Sequence, residues 1–201
     1  MQSEIGHRTK RTNRIMASEQ STSNSYRPMQ AVKRHFFAMR NGVIADTLRM
    51  SGSPFRYIFG LNLPQLVEAA AMFGKSRELA EELWANTTTR ESMLLAPMLM
   101  PVEEFSEEDA RRWIESLPAV EVADILCHRL LRHLPFAGEL AYSLAEDENA
   151  DMTRYTAGRL AINIMYSDRD AAVKTCGRLA NASGALSASI YKQLFSRLEN
   201  E

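Results

Sequence analysis

The 201 residues are 45% apolar and 24% charged with a formal net charge of −1, enough for one well-cored domain and too little for two comfortable ones. No run approaches the ~18 uncharged apolar residues of a membrane span, and the amino terminus lacks the apolar stretch of a secretory signal, so a soluble cytoplasmic protein is expected. Cys127 and Cys176 fall inside helical stretches without metal-type spacing, which points to reduced, buried thiols rather than a disulfide framework or a zinc site.

Residues 1–27 hold Arg8, Lys10, Arg11, Arg14 and Arg27 against Glu4 and Glu19, a net of +3 that leaves −4 for the remainder. With few apolar residues and no periodicity, this segment is expected to be a disordered basic tail, and Met16 offers an alternative start. A nucleic-acid-binding arm normally carries a denser block of like charge, so a short tail without a role is the favoured reading.

From residue 28 to 201 a single all-α domain is expected. Ten helical segments succeed one another, beginning with "MQAVKRHFFAMRNGVIADTLRM", then "NLPQLVEAAAMFG", "SRELAEELWAN" and "RESMLLAPMLM". "SEEDARRWIESL" follows, and then "LPAVEVADILCHRLLRHLP", which reads as one helix with a proline at each end. Asn62 before Leu63 and Pro64, Ser76 before Glu78, and Ser106 before Glu107, Glu108 and Asp109 supply helix starts whose dipole favours nearby carboxylates. Gly52, Gly74, Pro101 and Pro135 supply the ends.

The segments also repeat. Glu78-Leu79-Ala80 and Glu139-Leu140-Ala141 each open a helix, cross a polar link ending in Thr89-Arg90 or Thr153-Arg154, and run into an apolar helix. Helix pairs of about thirty residues recurring along a chain are the signature of an α-solenoid, in which each pair hides its apolar face against its neighbours. A curved stack of antiparallel pairs is expected, with Trp84 and Trp113 packed between layers.

The order "ELAEELWANTTTRESMLLAPMLM", an acidic helix start and "LPAVEVADIL" resembles the DNA alkylation repair family of HEAT-like-repeat DNA glycosylases, over about Met29 to Ser167. Trp84 and Glu91 stand where that family has them, and "YIFGLNLPQLVEAAAMFG" is similar to its early helix start. The resemblance implies HEAT-like repeats and removal of cationic methylated purines by one carboxylate and two tryptophans on a concave face. It places Asp124 at the carboxylate position. It also places Val120 where the first tryptophan belongs, and maps the second near Asp151 with Arg154 as the accompanying arginine. Both rings are missing, and the chain ends soon after Leu198, short of the family's last repeat.

A fixed anion stabilises the oxocarbenium character left on the sugar when a charged base departs, so Asp124 is the catalytic candidate. The missing rings would hold base and sugar by stacking and cation–π contacts worth ~1–2 kcal/mol each, which argues for weak or lost glycosylase activity. On the helical wheel alone, Asp124 with His128 one turn on reads as a partly solvated surface pair.

Arg90, Arg129, Arg154 and Arg159, with Arg132, are candidates for contacts to the phosphates of double-stranded DNA, against the alternative that they cap helices and pair with glutamates. Lys33, Arg34 and Arg40 form the densest basic patch of the folded part. His35, His128 and His133 share no third ligand, so no metal and no cofactor is expected. Two function classes stay open: a DNA-binding relative of the alkylation repair enzymes, or a non-enzymatic solenoid scaffold for a protein partner.

Overall fold

The computed structural model describes residues 27–147 and 150–200. The expected basic tail therefore lies outside the described residues, apart from Arg27, whose carbonyl accepts the first hydrogen bonds of the first helix. The described residues form eleven α-helices: α1 (Pro28–Ala38), α2 (Gly42–Met50), α3 (Leu63–Phe73), α4 (Arg77–Trp84), α5 (Arg90–Leu99), α6 (Glu107–Glu115), α7 (Val120–Arg129), α8 (Ala137–Leu144), α9 (Asp151–Ile164), α10 (Arg169–Leu179) and α11 (Ala185–Glu199). No strand forms among them beyond an isolated bridge between Tyr57 and Thr89.

The caps act where their residue types predict. Asn62 and Gln65 bond reciprocally at the start of α3, as do Ser106 and Asp109 at the start of α6, and the Ser76 hydroxyl accepts from Leu79 N. Two segments read as continuous helices are divided. The first breaks at Asn41, whose side chain accepts from Ile44 N and starts α2 while its own N–H donates to Phe59 O at 2.8 Å. The segment from Leu117 to Pro135 ends its α-helix at Arg129 and continues as a 3₁₀ turn, Leu131–His133. Pro135 disfavours helical geometry at the residue before it, and Leu134 is extended at ψ 142°.

Helices α3, α5, α7, α9 and α11 each pack on the next, while α4, α8 and α10 lie against α5, α9 and α11 as outer partners. This is the two-layer arrangement of an α-solenoid, as the repeats predict. Every residue of α5 is buried, which makes it the centre of the core. In the outer layer, Trp84 of α4 and Trp113 of α6 stack with ring centroids 4.1 Å apart and planes 5° from parallel, and Phe105 meets Trp113 edge-on.

A buried carboxylate fixes the entry to α3. Glu91 is 0% exposed and accepts hydrogen bonds from the backbone N–H groups of Phe59, Gly60 and Leu61 at 3.0, 2.9 and 3.3 Å, and from Arg90 at 3.0 Å. Gly60 sits at φ 80°, a conformation L side chains rarely adopt, and a Cβ there would collide with the Asn41 backbone. The loop can approach both Asn41 and Glu91 only because this residue is glycine.

Candidate nucleic-acid interface

The seam between α7 and α9 brings together two of the residues singled out in the sequence, Asp124 and Arg159. Asp124 faces α9, where its Oδ1 lies 2.7 Å from Arg159 Nε and accepts the Tyr155 hydroxyl at 2.7 Å. Arg159 Nη2 donates to the same Tyr155 oxygen at 2.7 Å, so the three side chains close a ring of contacts. Asp124 is 39% exposed and Arg159 20%, whereas Tyr155 is buried at 4%. The cluster presents its carboxylate at the surface and holds its phenol inside.

Burial pushes the Tyr155 hydroxyl up to about 12, with Asp124 adding to the shift and Arg159 opposing it. Arg159 is held above the ordinary guanidinium range: burial opposes its charge, but the Tyr155 oxygen and the Asp124 carboxylate outweigh that cost. Burial, reinforced by Asp124, drives the Cys127 thiol well above its usual value, so this cysteine is a packing group rather than a nucleophile.

One turn along α7, His128 Nδ1 lies 3.1 Å from Asn163 Oδ1 and 3.4 Å from Arg132 Nη1. The surface pair of Asp124 with His128 suggested by the helical wheel gives way to two rungs across the seam, because α9 offers Asp124 a cation and a hydroxyl at closer range. The sequence carried a signal for this row: Tyr155, Arg159 and Asn163 recur every four residues on α9, opposite Asp124 and His128 on α7.

The arginine candidates separate into three environments. Arg90 and Arg154 occupy matching places in their helix pairs, near the starts of α5 and α9, and are 6% and 5% exposed. Arg90 donates to Leu61 O at 3.1 Å and pairs with Glu91 and Glu121, while Arg154 donates to Ser183 O. Each therefore ties its helix to the loop ahead of another inner helix, and the Thr-Arg repeat has a structural use. Arg159 belongs to the Asp124 ring. Arg129 is half-buried at the end of α7, and Arg132 is exposed beyond it. Among the described residues, no group of three or more His, Cys, Asp or Glu side chains is placed to hold a metal ion, and no helix is long and apolar enough to cross a membrane.

The profile of the family described as DNA alkylation repair enzyme matches residues 32–186. The chain belongs to that family. No curated protein matches it. A solved structure from a family of proteins related to the HEAT-like repeat DNA glycosylases, with affinity for branched DNA structures, superposes with a TM-score of 0.53 at 16% identity. The match covers 84% of this chain and 94% of that one, and it establishes the HEAT-like repeat fold.

In this member of the alkylation repair family, no ring flanks Asp124 as a stacking surface among the described residues. Val120 opens α7 one turn before Asp124. Asp151 serves the fold instead, since its carboxylate accepts from Leu186 N, Ser187 N and the Ser187 hydroxyl at 3.0, 2.9 and 2.7 Å, capping α11. Burial raises the Asp151 pKa, but these bonds outweigh it and leave the group below the usual carboxylate range. Tyr155 is turned into the core and Phe136 packs against that core, so neither ring stands beside Asp124 as a stacking surface.

Proposed function

We propose that this protein binds DNA of irregular or branched structure along the face formed by α7 and α9, and that alkylpurine excision is weak or lost. The family membership and the fold shared with a protein of branched-DNA affinity support the ligand class. The observation that carries the loss of chemistry is the state of Asp124. Its carboxylate is engaged by Arg159 and Tyr155 at 2.7 Å, beside Val120 instead of an indole. Positioning the sugar against a fixed charge supplies a large part of such a rate, and a valine cannot clamp a nucleotide.

Two assays test the reading. Labelled linear duplex and four-way junction DNA, titrated at low and moderate salt, should both bind, with the junction preferred. Alkylated duplex should release 3-methyladenine and 7-methylguanine at or little above the uncatalysed rate, and any excess over that rate should vanish in Asp124→Asn. Robust excision by the wild type refutes the loss of chemistry. Absence of binding at low salt would transfer the protein to the scaffold class.

A further inference from the structure

Beyond the seam, the end of α7, the 3₁₀ turn after it and the link between α3 and α4 enclose a cavity of about 250 Å³. It is lined by Lys75, His128, Arg129, Arg132 and His133, and by apolar side chains of α3 and α5. Among the described residues, no carboxylate lines it. Elsewhere arginines meet acids, as Arg112 meets Glu81 and Asp109 and Arg178 meets Glu146, all at 2.7–2.9 Å. Here the cations meet one another or neutral groups.

Lys75 Nζ donates to Met100 O at 2.9 Å, with Glu103 acting on it only through space. Arg132 reaches His128 at 3.4 Å, and His128 reaches Asn163. Arg129 Nε is buried without a hydrogen-bond partner. Arg129 lines the cavity, where no carboxylate meets it, and a guanidinium so placed suits an anion. Burial, and then the neighbours Arg132, His128 and Lys75, push the His133 pKa down, in keeping with the cations gathered around the cavity.

We propose that this cavity binds a phosphomonoester, the terminal phosphate of a DNA strand end, and so distinguishes ends and nicks from continuous duplex. This rests on the DNA-binding reading above and deepens it. A phosphodiester inside a strand carries one negative charge and two free oxygens, whereas a terminal phosphate carries about −1.5 to −2 and three acceptor oxygens. Three cationic side chains, Lys75, Arg129 and Arg132, with no carboxylate among them, suit the higher charge of the terminal group. The cavity adjoins the Asp124 seam through His128, so one DNA molecule can lie on both.

The test compares duplexes differing only in a 5′-phosphate or a 5′-hydroxyl, with a matching 3′ pair, and adds inorganic phosphate as a competitor and as a ligand in thermal denaturation. The expected result is binding about tenfold tighter for one phosphorylated end, a preference lost in Arg132→Ala, an exposed side chain whose removal is expected to leave the fold intact. Arg129→Gln, with its fold checked by circular dichroism, should lose the preference too. If no DNA binds, yet inorganic phosphate raises the midpoint of wild type and not of Arg132→Ala, the cavity serves a free phosphate compound; the phosphomonoester chemistry stands and the DNA reading falls. Equal affinity for all ends, with no shift by inorganic phosphate, overturns the pocket and leaves the DNA reading intact.

Discussion

Asp124 of α7 and Arg159 of α9 form an ion pair at 2.7 Å, and the Tyr155 hydroxyl bridges the same two groups. The pair joins consecutive inner helices of the solenoid and engages the carboxylate proposed above as the remnant of a catalytic group. Its energetic weight is measurable by a double-mutant cycle with Asp124→Asn and Arg159→Gln. Because Asp124 is 39% exposed, solvent screens the pair. The coupling energy should be about 1 kcal/mol, read from urea denaturation. A coupling indistinguishable from zero would mean that the contact does not link the helices.

The same substitution has an opposite effect on binding. Arg159 spends its charge on Asp124 and only in part on any phosphate lying over the seam. Asp124→Asn should therefore strengthen DNA binding at low salt and steepen the dependence of log K on log salt by about one phosphate equivalent. Unchanged or weaker binding in this variant would place the DNA on another face.

Glu91 offers a test of the fold. It is completely buried, and its removal strands three backbone N–H groups and the Arg90 guanidinium, itself 7% exposed. Breaking a buried pair at one partner typically costs about 3–5 kcal/mol, so Glu91→Ala should lower the unfolding free energy by that amount or prevent folding. Glu91→Gln, which keeps an acceptor, should fall between the two. A cost below about 1 kcal/mol for Glu91→Ala would show that the 59–61 loop is held by other means.

The pH dependence of Tyr155 follows from its raised pKa, about 12 against an ordinary 10.0. The folded state holds the phenolic proton more tightly than the unfolded chain. Its contribution to stability is therefore full below pH 10 and is lost as pH rises through the window from 10 to 12. Absorbance titration should find one late-ionising tyrosine among the six, missing in Tyr155→Phe. That variant should also lose less stability across the same window.

Much of the architecture was legible along the chain, because the forces that specify it act over three or four residues. The reciprocal caps at Asn62–Gln65 and Ser106–Asp109, the helical spacing that buries Trp84 and Trp113, and the recurring Glu-Leu-Ala starts are all local patterns. From them the helices, their pairing and the solenoid follow. Of the two misjudged helices, one failed where a longer reach intervened, since Asn41 is anchored by Phe59, and the other at a local signal, the extended residue ahead of Pro135.

The partners of the candidate-site charges were decided by the tertiary structure. A wheel gives Asp124 the nearby His128, yet the solenoid brings up Arg159 and Tyr155 from the next helix pair. The recurring Thr-Arg sets Arg90 and Arg154 apart from Arg129 and Arg132 in sequence, but only stacking puts the first two under loops and leaves the others around a cavity with Lys75. Helix formation depends on neighbours in the chain. The partner of a charge is whatever the adjoining repeat presents within about 4 Å, a distance that packing sets and local sequence does not encode.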